Sequence, residues 1–286
     1  MANSIVYEED WKITLQDRLT ELVKWRQVCN VEYTNIKVLH NPYLTEATVQ
    51  TGTRGTQYTM QDVVENDENV SITTYKILPQ FIDRADLAQS TYASQMVLAD
   101  KQGILLNEAV ETAFLADYAS LTTYDATQFG NTGNITVSST NIDDIIRHMK
   151  TLIRQAGGQS KLEQYGAFII WRPQDLELLE AFMQANGFQS ADKALNPEAG
   201  QPTGSNKGVE YMGVTHFSSN LIAAGHLIGG VKQQYHIGIL KDTYGDVMVN
   251  DKDPLNTSGV SIVSRVDFKG KAWHNVVPIL FNICVA

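Results

Sequence analysis

Cysteine is almost missing. Only Cys29 and Cys284 occur, near opposite ends of the 286 residues and without CxxC spacing. That excludes a disulfide framework and a thiolate zinc site, and it fits a reducing compartment. No apolar run approaches the ~18 residues that a membrane span requires. The amino terminus, MANSIVYEEDW, is polar and acidic rather than signal-like, so the expectation is a soluble protein made in the cytosol with no membrane partner. Positive charge is short, with 22 Lys and Arg against 32 Asp and Glu and a net charge of −10. Such a surface is repelled by phosphates, which excludes non-specific nucleic-acid binding by the whole molecule. No internal repeat and no low-complexity tract is present.

The motifs of common chemistry are missing as well. There is no HExxH, no GxSxG, no GxxxxGK[ST], and no GxGxxG opening a helix after a strand. The six histidines are scattered, and none pair at i, i+4. His226 and His236 fall on separate strand-like segments, where strand or loop histidines are the default. Gly225, Gly229 and Gly230 have the wrong spacing for a phosphate cradle and read as tight turns. No catalytic residue, cofactor or metal is expected. Asp83, Arg84 and Asp86 form a compact acid-base-acid cluster. It serves as catalytic carboxylates only if buried, and as an orienting ion-pair set by proximity alone.

What is present is the composition of a folded protein, 43% hydrophobic and 19% charged, with length for one to three domains. Residues 8–27 read as an amphipathic helix with Trp11, Leu15, Leu19, Leu22 and Val23 on its apolar face. Acids sit at its start and bases at its end. Trp25 falls off that face and is free to touch something else. From Thr45 to Ile82 the composition is β-like, with a turn around Arg54 between Gly52 and Gly55, Val49 to Thr53 before it, and Tyr58 and Met60 after it. This ribbon has too little apolar mass for a core of its own. From Thr91 to Leu121 no proline interrupts a stripe of Tyr92, Met96, Ala99, Gly103, Leu106, Val110 and Ala113, a helix of ~45 Å, with Ser90 or Thr91 as cap.

The middle is α/β in character. Asn141 is placed to cap a helix carrying Ile142, Ile145, Ile146, Met149, Leu152 and Ile153, ended by Gly157-Gly158. Ala167–Trp171 is a strand buried on both faces, and Pro173 opens a helix through Ala185. Residues 188–208 read as a loop. The last third is β-rich, with strand-like runs at Val209–Phe217, His226–Ile228, Tyr235–Leu240, Val260–Phe268 and Ala272–Val285.

The order of these pieces resembles the major capsid proteins of tailed bacteriophages, the HK97-like shell fold. The resemblance is carried by VSITTYKI and FIDRADLAQS, by the long helix, by PQDLELLEAFMQANGF, and by GVTHFSSNLIAAGHLIGG. Arg265 and VVPILFNICVA around Pro278 complete it. No single motif is specific. The resemblance implies an α+β fold with an amino-terminal arm (1–44), an extended β-hairpin (45–82), a peripheral domain (83–141 and 241–286) carrying the spine helix 91–121, and an axial domain (142–240). It implies a virion shell subunit, assembled in the host cytoplasm into hexamers and pentamers that enclose double-stranded DNA without sequence-specific binding. Separate scaffold, portal and cement proteins are the expected partners beyond itself. An acidic inner wall would hold DNA without adhering to it.

The chain begins directly with the short arm, so a separate scaffold or none is implied. From Ala47 to Tyr75 there is no lysine, so no covalent cross-linking of hairpins is expected. The expected intersubunit contacts are Trp11, Trp25, Arg54, Tyr58, Asp83 and Arg84. Two other readings of the same residues stand beside this one. One is an encapsulin-type compartment of the same fold. The other is a soluble α+β enzyme, in which the long helix is core and the ribbon an ordinary surface hairpin.

Overall fold

A computed structural model describes residues 23–45, 47–83, 94–130, 133–185, 209–241, 247–250 and 259–286. The chain enters through α1 (Trp25–Val28) and β1 (Asn30–Thr34), then runs out and back as β2 (Val38–Leu44) and β3 (Glu65–Ser71). β4 (Thr74–Asp83) precedes the long helix α2 (Ser94–Ala116), which closes in a 3-10 turn, Asp117–Ser120. After β5 (Thr122–Thr123) come α3 (Ile142–Gln155), α4 (Gln159–Tyr165), β6 (Ala167–Trp171) and α5 (Pro173–Ala185). The remainder is strand: β7 (Val209–Tyr211), β8 (Val214–Ser218), β9 (His226–Val231), β10 (Tyr235–Leu240), β11 (Val247–Asn250), β12 (Gly259–Ala272) and β13 (Leu280–Cys284).

β12 organises one sheet. Its full first ten residues pair antiparallel with β4, from Gly259 opposite Asp83 to Phe268 opposite Thr74. Its other edge is shared by β11 and β10, and β1 runs parallel outside β10. Ile262, Ser264, Val266 and Phe268 alternate onto the buried face, where α2 lies across them. The second sheet has the order β5-β13-β9-β6-β8-β7. Its centre is β6, buried along its whole length as its unbroken apolar run requires, and α3 and α5 cover it. One continuous apolar core runs through both sheets.

The sheets divide the chain differently from the expected boundary at 240/241. β10, expected in the axial unit, pairs with β12. β13, expected in the peripheral unit, pairs with β9. The chain therefore changes sheet at the β9–β10 turn and again between β12 and β13. Local apolar patterning marks strands, but it does not say which sheet they join.

Four local expectations are corrected. The helix expected over 8–27 is not continuous where it is described: Val23 and Lys24 are non-helical and only Trp25–Val28 is a helix. α2 ends at Ala116, and its buried face holds Gln102 and Glu111 while Gly103 is exposed. Gln102 is tolerated there because its amide donates to the Ile262 carbonyl (3.3 Å) and to Gln80 (2.9 Å), and it accepts from the Ser264 hydroxyl. Asn141 occupies the position before α3 without capping it. Its side chain turns back to accept from the Ser138 amide (2.9 Å) and to donate to the Thr136 carbonyl (2.9 Å). Gly225 does sit in a turn, but Gly229 and Gly230 lie within β9.

Those two strand glycines permit close approach. A Cβ on Gly229 would stand 2.9 Å from Met149 Sδ, so α3 rests directly on the strand. A Cβ on Gly230 would stand 2.4 Å from the Ile279 carbonyl oxygen, at a φ of +150°. Gly230→Ala is expected to cost about 2–4 kcal/mol, because the obstructing atoms are backbone and cannot move aside. Gly103→Ala, on an open helical surface, should stabilise by roughly 0.5–1 kcal/mol. Urea midpoints of the two variants, measured against the parent, check both signs.

Candidate functional site

The hairpin of β2 and β3 forms a two-stranded sheet of its own. Its ladder runs from Val38 opposite Ser71 to Leu44 opposite Glu65, so it starts before the expected residue 45. Thr74–Asp83, expected as part of it, belongs to the β12 sheet. Beyond Leu44 the arms are joined by the Thr45 amide on the Val64 carbonyl (2.9 Å). Gln61 then bridges to Thr48, accepting from its amide (2.9 Å) and donating to its carbonyl (2.7 Å). Val49–Thr53 and Tyr58–Met60 flank the turn without forming strands, since neither face of the ribbon is covered and nothing rewards a pleat. At the tip the Thr53 carbonyl accepts from the Thr56 amide (3.1 Å), and Gly55 takes a φ of +90°.

Residues 47–65 are all exposed. Tyr58 is 73% exposed, Met60 79% and Val63 72%, with Leu44, Val49 and Val64 also bare. A second apolar surface lies on the β12 sheet. Tyr75, Ile77 and Phe81 alternate along β4 on the face away from α2, each about half exposed. The signal for it was legible in the sequence, because Tyr75, Ile77 and Phe81 recur at the even spacing that puts them on one face of a strand.

The root of the hairpin is built differently from its tip. Leu39 and Ile72 settle over Gly238 of β10, where a Cβ would stand 2.5 Å from Leu39 Cδ1. Beside this socket Glu68 is gripped from the body. Lys271 Nζ lies 2.9 Å from Glu68 Oε1, the His274 amide donates to Oε2 (3.0 Å), and His274 Nδ1 lies 3.2 Å from Oε2. Lys271 also donates to the Asn69 carbonyl (3.0 Å), and the Tyr43 and His274 rings meet at 4.1 Å. Burial raises the Glu68 carboxyl, but the hydrogen bonds from Lys271 and His274 outweigh it and hold the group below the ordinary glutamate value. Sequence reasoning missed this clamp, because its members lie some 200 residues apart.

Of the expected contact residues, Arg54 sits in the exposed tip turn and Tyr58 stands beside it. Asp83 closes β4 opposite Gly259. Trp11 and Arg84, with Asp86, lie outside the described residues. Trp25 is a correction: it is fully buried in the subunit's own core and is not a surface contact. The cause is Glu111 on α2, itself buried, whose carboxylate accepts from the Lys24 and Trp25 amides and draws that turn inward. Cys29, just beyond, is buried, and burial first and Glu111 second push its thiol well up. His226 stacks on Tyr118 at 3.7 Å and meets Asn282 at 2.9 Å, while His236 lies in the other sheet beside Glu32. Among the described residues no group of three His, Cys, Asp or Glu is placed to hold a metal ion.

No family model and no curated protein sequence matches the chain. Its fold is nevertheless that of solved phage shell structures. A structure from Mycobacterium phage Che8 aligns over 98% of both chains with a TM-score of 0.74 at 14% identity. The capsid of Ralstonia phage GP4 aligns over 98% of this chain and 95% of that one, at 0.66 and 11%. A virus-like particle from Pyrococcus furiosus aligns over 90% of each chain, at 0.53 and 10%. The HK97-like fold expected from the order of elements is therefore the fold of this chain.

A clamp held by a carboxylate of depressed pKa is fully formed above the ordinary glutamate range and is lost as pH falls through the lower folded value. Amide exchange at residues 38–44 and 65–71 is expected to be slow at pH 7 and to quicken, relative to the β6 core, as pH drops below about 4. Glu68→Gln should quicken it already at pH 7 and remove that pH dependence.

Proposed function

We propose that this chain is the repeating structural subunit of an icosahedral virus shell, a non-enzymatic protein that assembles into hexamers and pentamers enclosing double-stranded DNA. The observation that carries the reading is the outstretched hairpin with its large apolar side chains bare in the single subunit, on a body folded like phage capsid structures over nearly its whole length. Soluble monomers do not keep such a ribbon in water without a use for it. Full burial of one large apolar side chain is worth about 1.5–3 kcal/mol. The hairpin thus offers on the order of 10 kcal/mol of gross contact to a neighbour, before the costs of ordering and desolvation.

The partners in this reading are first of all other copies of the chain, then separate scaffold, portal and cement proteins. The location is the virion, after assembly in the host cytoplasm. The net charge of −10 suits a wall that repels the phosphates it encloses. Without a hairpin lysine from Ala47 to Tyr75, cohesion is non-covalent and comes from many simultaneous contacts. The compartment alternative rests on the Pyrococcus particle, whose likeness is weaker in coverage and score.

Electron microscopy of the expressed chain should reveal shells, tubes or capsomers; a strict monomer at high concentration contradicts the proposal. Tyr58→Ser combined with Met60→Ser should remove assembly while moving the subunit's melting by no more than about 0.5 kcal/mol, since both side chains are largely exposed in their own chain.

A further inference from the structure

We propose that the Arg54 guanidinium at the hairpin tip of one subunit seats in a cleft of a second copy, against Asp117 at the carboxyl end of α2. The inference rests on the shell reading above and names one of its contacts. The cleft holds about 260 Å³ and is lined by Val110, Phe114, Phe268, Asp117, Tyr235 and Lys269. Ligand pockets usually run from about 300 to 1,000 Å³, so this one is of a size for a single long side chain. Its walls mix apolar side chains such as Val110, Phe114 and Phe268 with polar ones, and its charged groups are Asp117 and Lys269. That carboxylate accepts from the Tyr235 hydroxyl (2.6 Å) and the Ser120 hydroxyl (2.7 Å), and among the described residues it has no cationic partner. Hydroxyl donors orient the carboxylate without neutralising it, which leaves it complementary to a guanidinium on an aliphatic stem.

Arg54 has that chemistry. It is the single Lys or Arg from Val38 to Tyr75, it lies in the tip turn, and it is exposed. A Cβ built on Gly52 or Gly55 beside it would meet nothing within 4 Å, so no part of its own chain crowds the tip at those positions. It does not occupy the cleft of its own chain, being exposed in the tip turn. The cleft includes Ile237, Lys269 and Gly270, next to Gly238 and Lys271, where the hairpin of the same chain is rooted. Sixteen residues separate Val38 at the root from Arg54 at the tip, a reach of at most ~50 Å if the ribbon is stretched out. Tip and cleft are thus different patches on one molecule. A contact between them runs head to tail and closes into a ring when the rotation permits.

Lys269 is the one feature that opposes an entering guanidinium, and it fixes a sign. Arg54→Ala and Asp117→Asn should each raise the concentration needed for half assembly by roughly 10- to 100-fold, whereas Lys269→Ala should lower it. Because Asp117 also bonds within its own subunit, the decisive variant is Arg54→Cys with Ala116→Cys, Ala116 being an exposed residue of the cleft. Under mild oxidation assembled particles of this double variant should give disulfide-linked ladders of subunits, and neither single variant should. Shells that form normally from Arg54→Ala, or that give no ladder from the double variant, overturn this contact and leave the shell reading standing. A parent chain that never assembles overturns both.

Discussion

A strand can be covered on one face from within its own subunit only if something is there to cover it, and among the described residues β12 has a helix for one face alone. α2 takes the side of Ile262, Ser264, Val266 and Phe268. The ten-residue pairing with β4 then carries Tyr75, Ile77 and Phe81 onto the opposite side, where each stays about half exposed. Both halves of the molecule hang on this strand. Its far end supplies Lys271, and the loop after it supplies His274, which together hold the hairpin root. Its register with β10 brings Gly238 under Leu39 and Ile72. The same pairing that builds the core therefore also aims the hairpin and leaves an apolar face bare.

The polar groups inside the subunit serve this frame. Gln102 ties α2 to β12 and β4, and Glu111 ties α2 to the entering chain. His216 accepts from Trp171 Nε1 (2.9 Å), its other nitrogen faces the Tyr211 carbonyl (3.3 Å), and burial pushes it down to about 4, so it stays neutral. Each of these side chains is engaged with backbone or with another fixed side chain. Buried polarity here ties one element of the frame to another.

Strong periodicity was legible without coordinates. The α3 stripe, the unbroken run Ala167–Trp171, the Pro173 helix start and the turn at Arg54 all follow from spacing alone, and the order of elements pointed to the shell fold. What could not be read were facts of long range. Trp25 falls off an amphipathic stripe, and only Glu111, 86 residues away, turns it inward. Glu68 looks like one acid among several until Lys271 and His274 are brought to it. Gly229 and Gly230 look like turn residues because nothing in their neighbourhood reveals that Met149 and Ile279 press on them. Sheet membership of β10 and β13 is of the same kind, since each is apolar enough for either sheet.

The contrast between the two ends of the hairpin bears on how such a subunit would work. At the root, apolar burial over Gly238 and a charged clamp act together, and the angle of the ribbon is set within the chain. At the tip, contacts are few and local, and no core rewards any one shape. A ribbon aimed by its base and adaptable at its end can meet neighbours at slightly different angles without changing the body. In the proposed shell, a subunit that occupies both five-fold and six-fold rings would need this, since the same surfaces would meet there at different tilts. Distributing order along one hairpin in this way would supply rigid placement with local adaptability without a second fold.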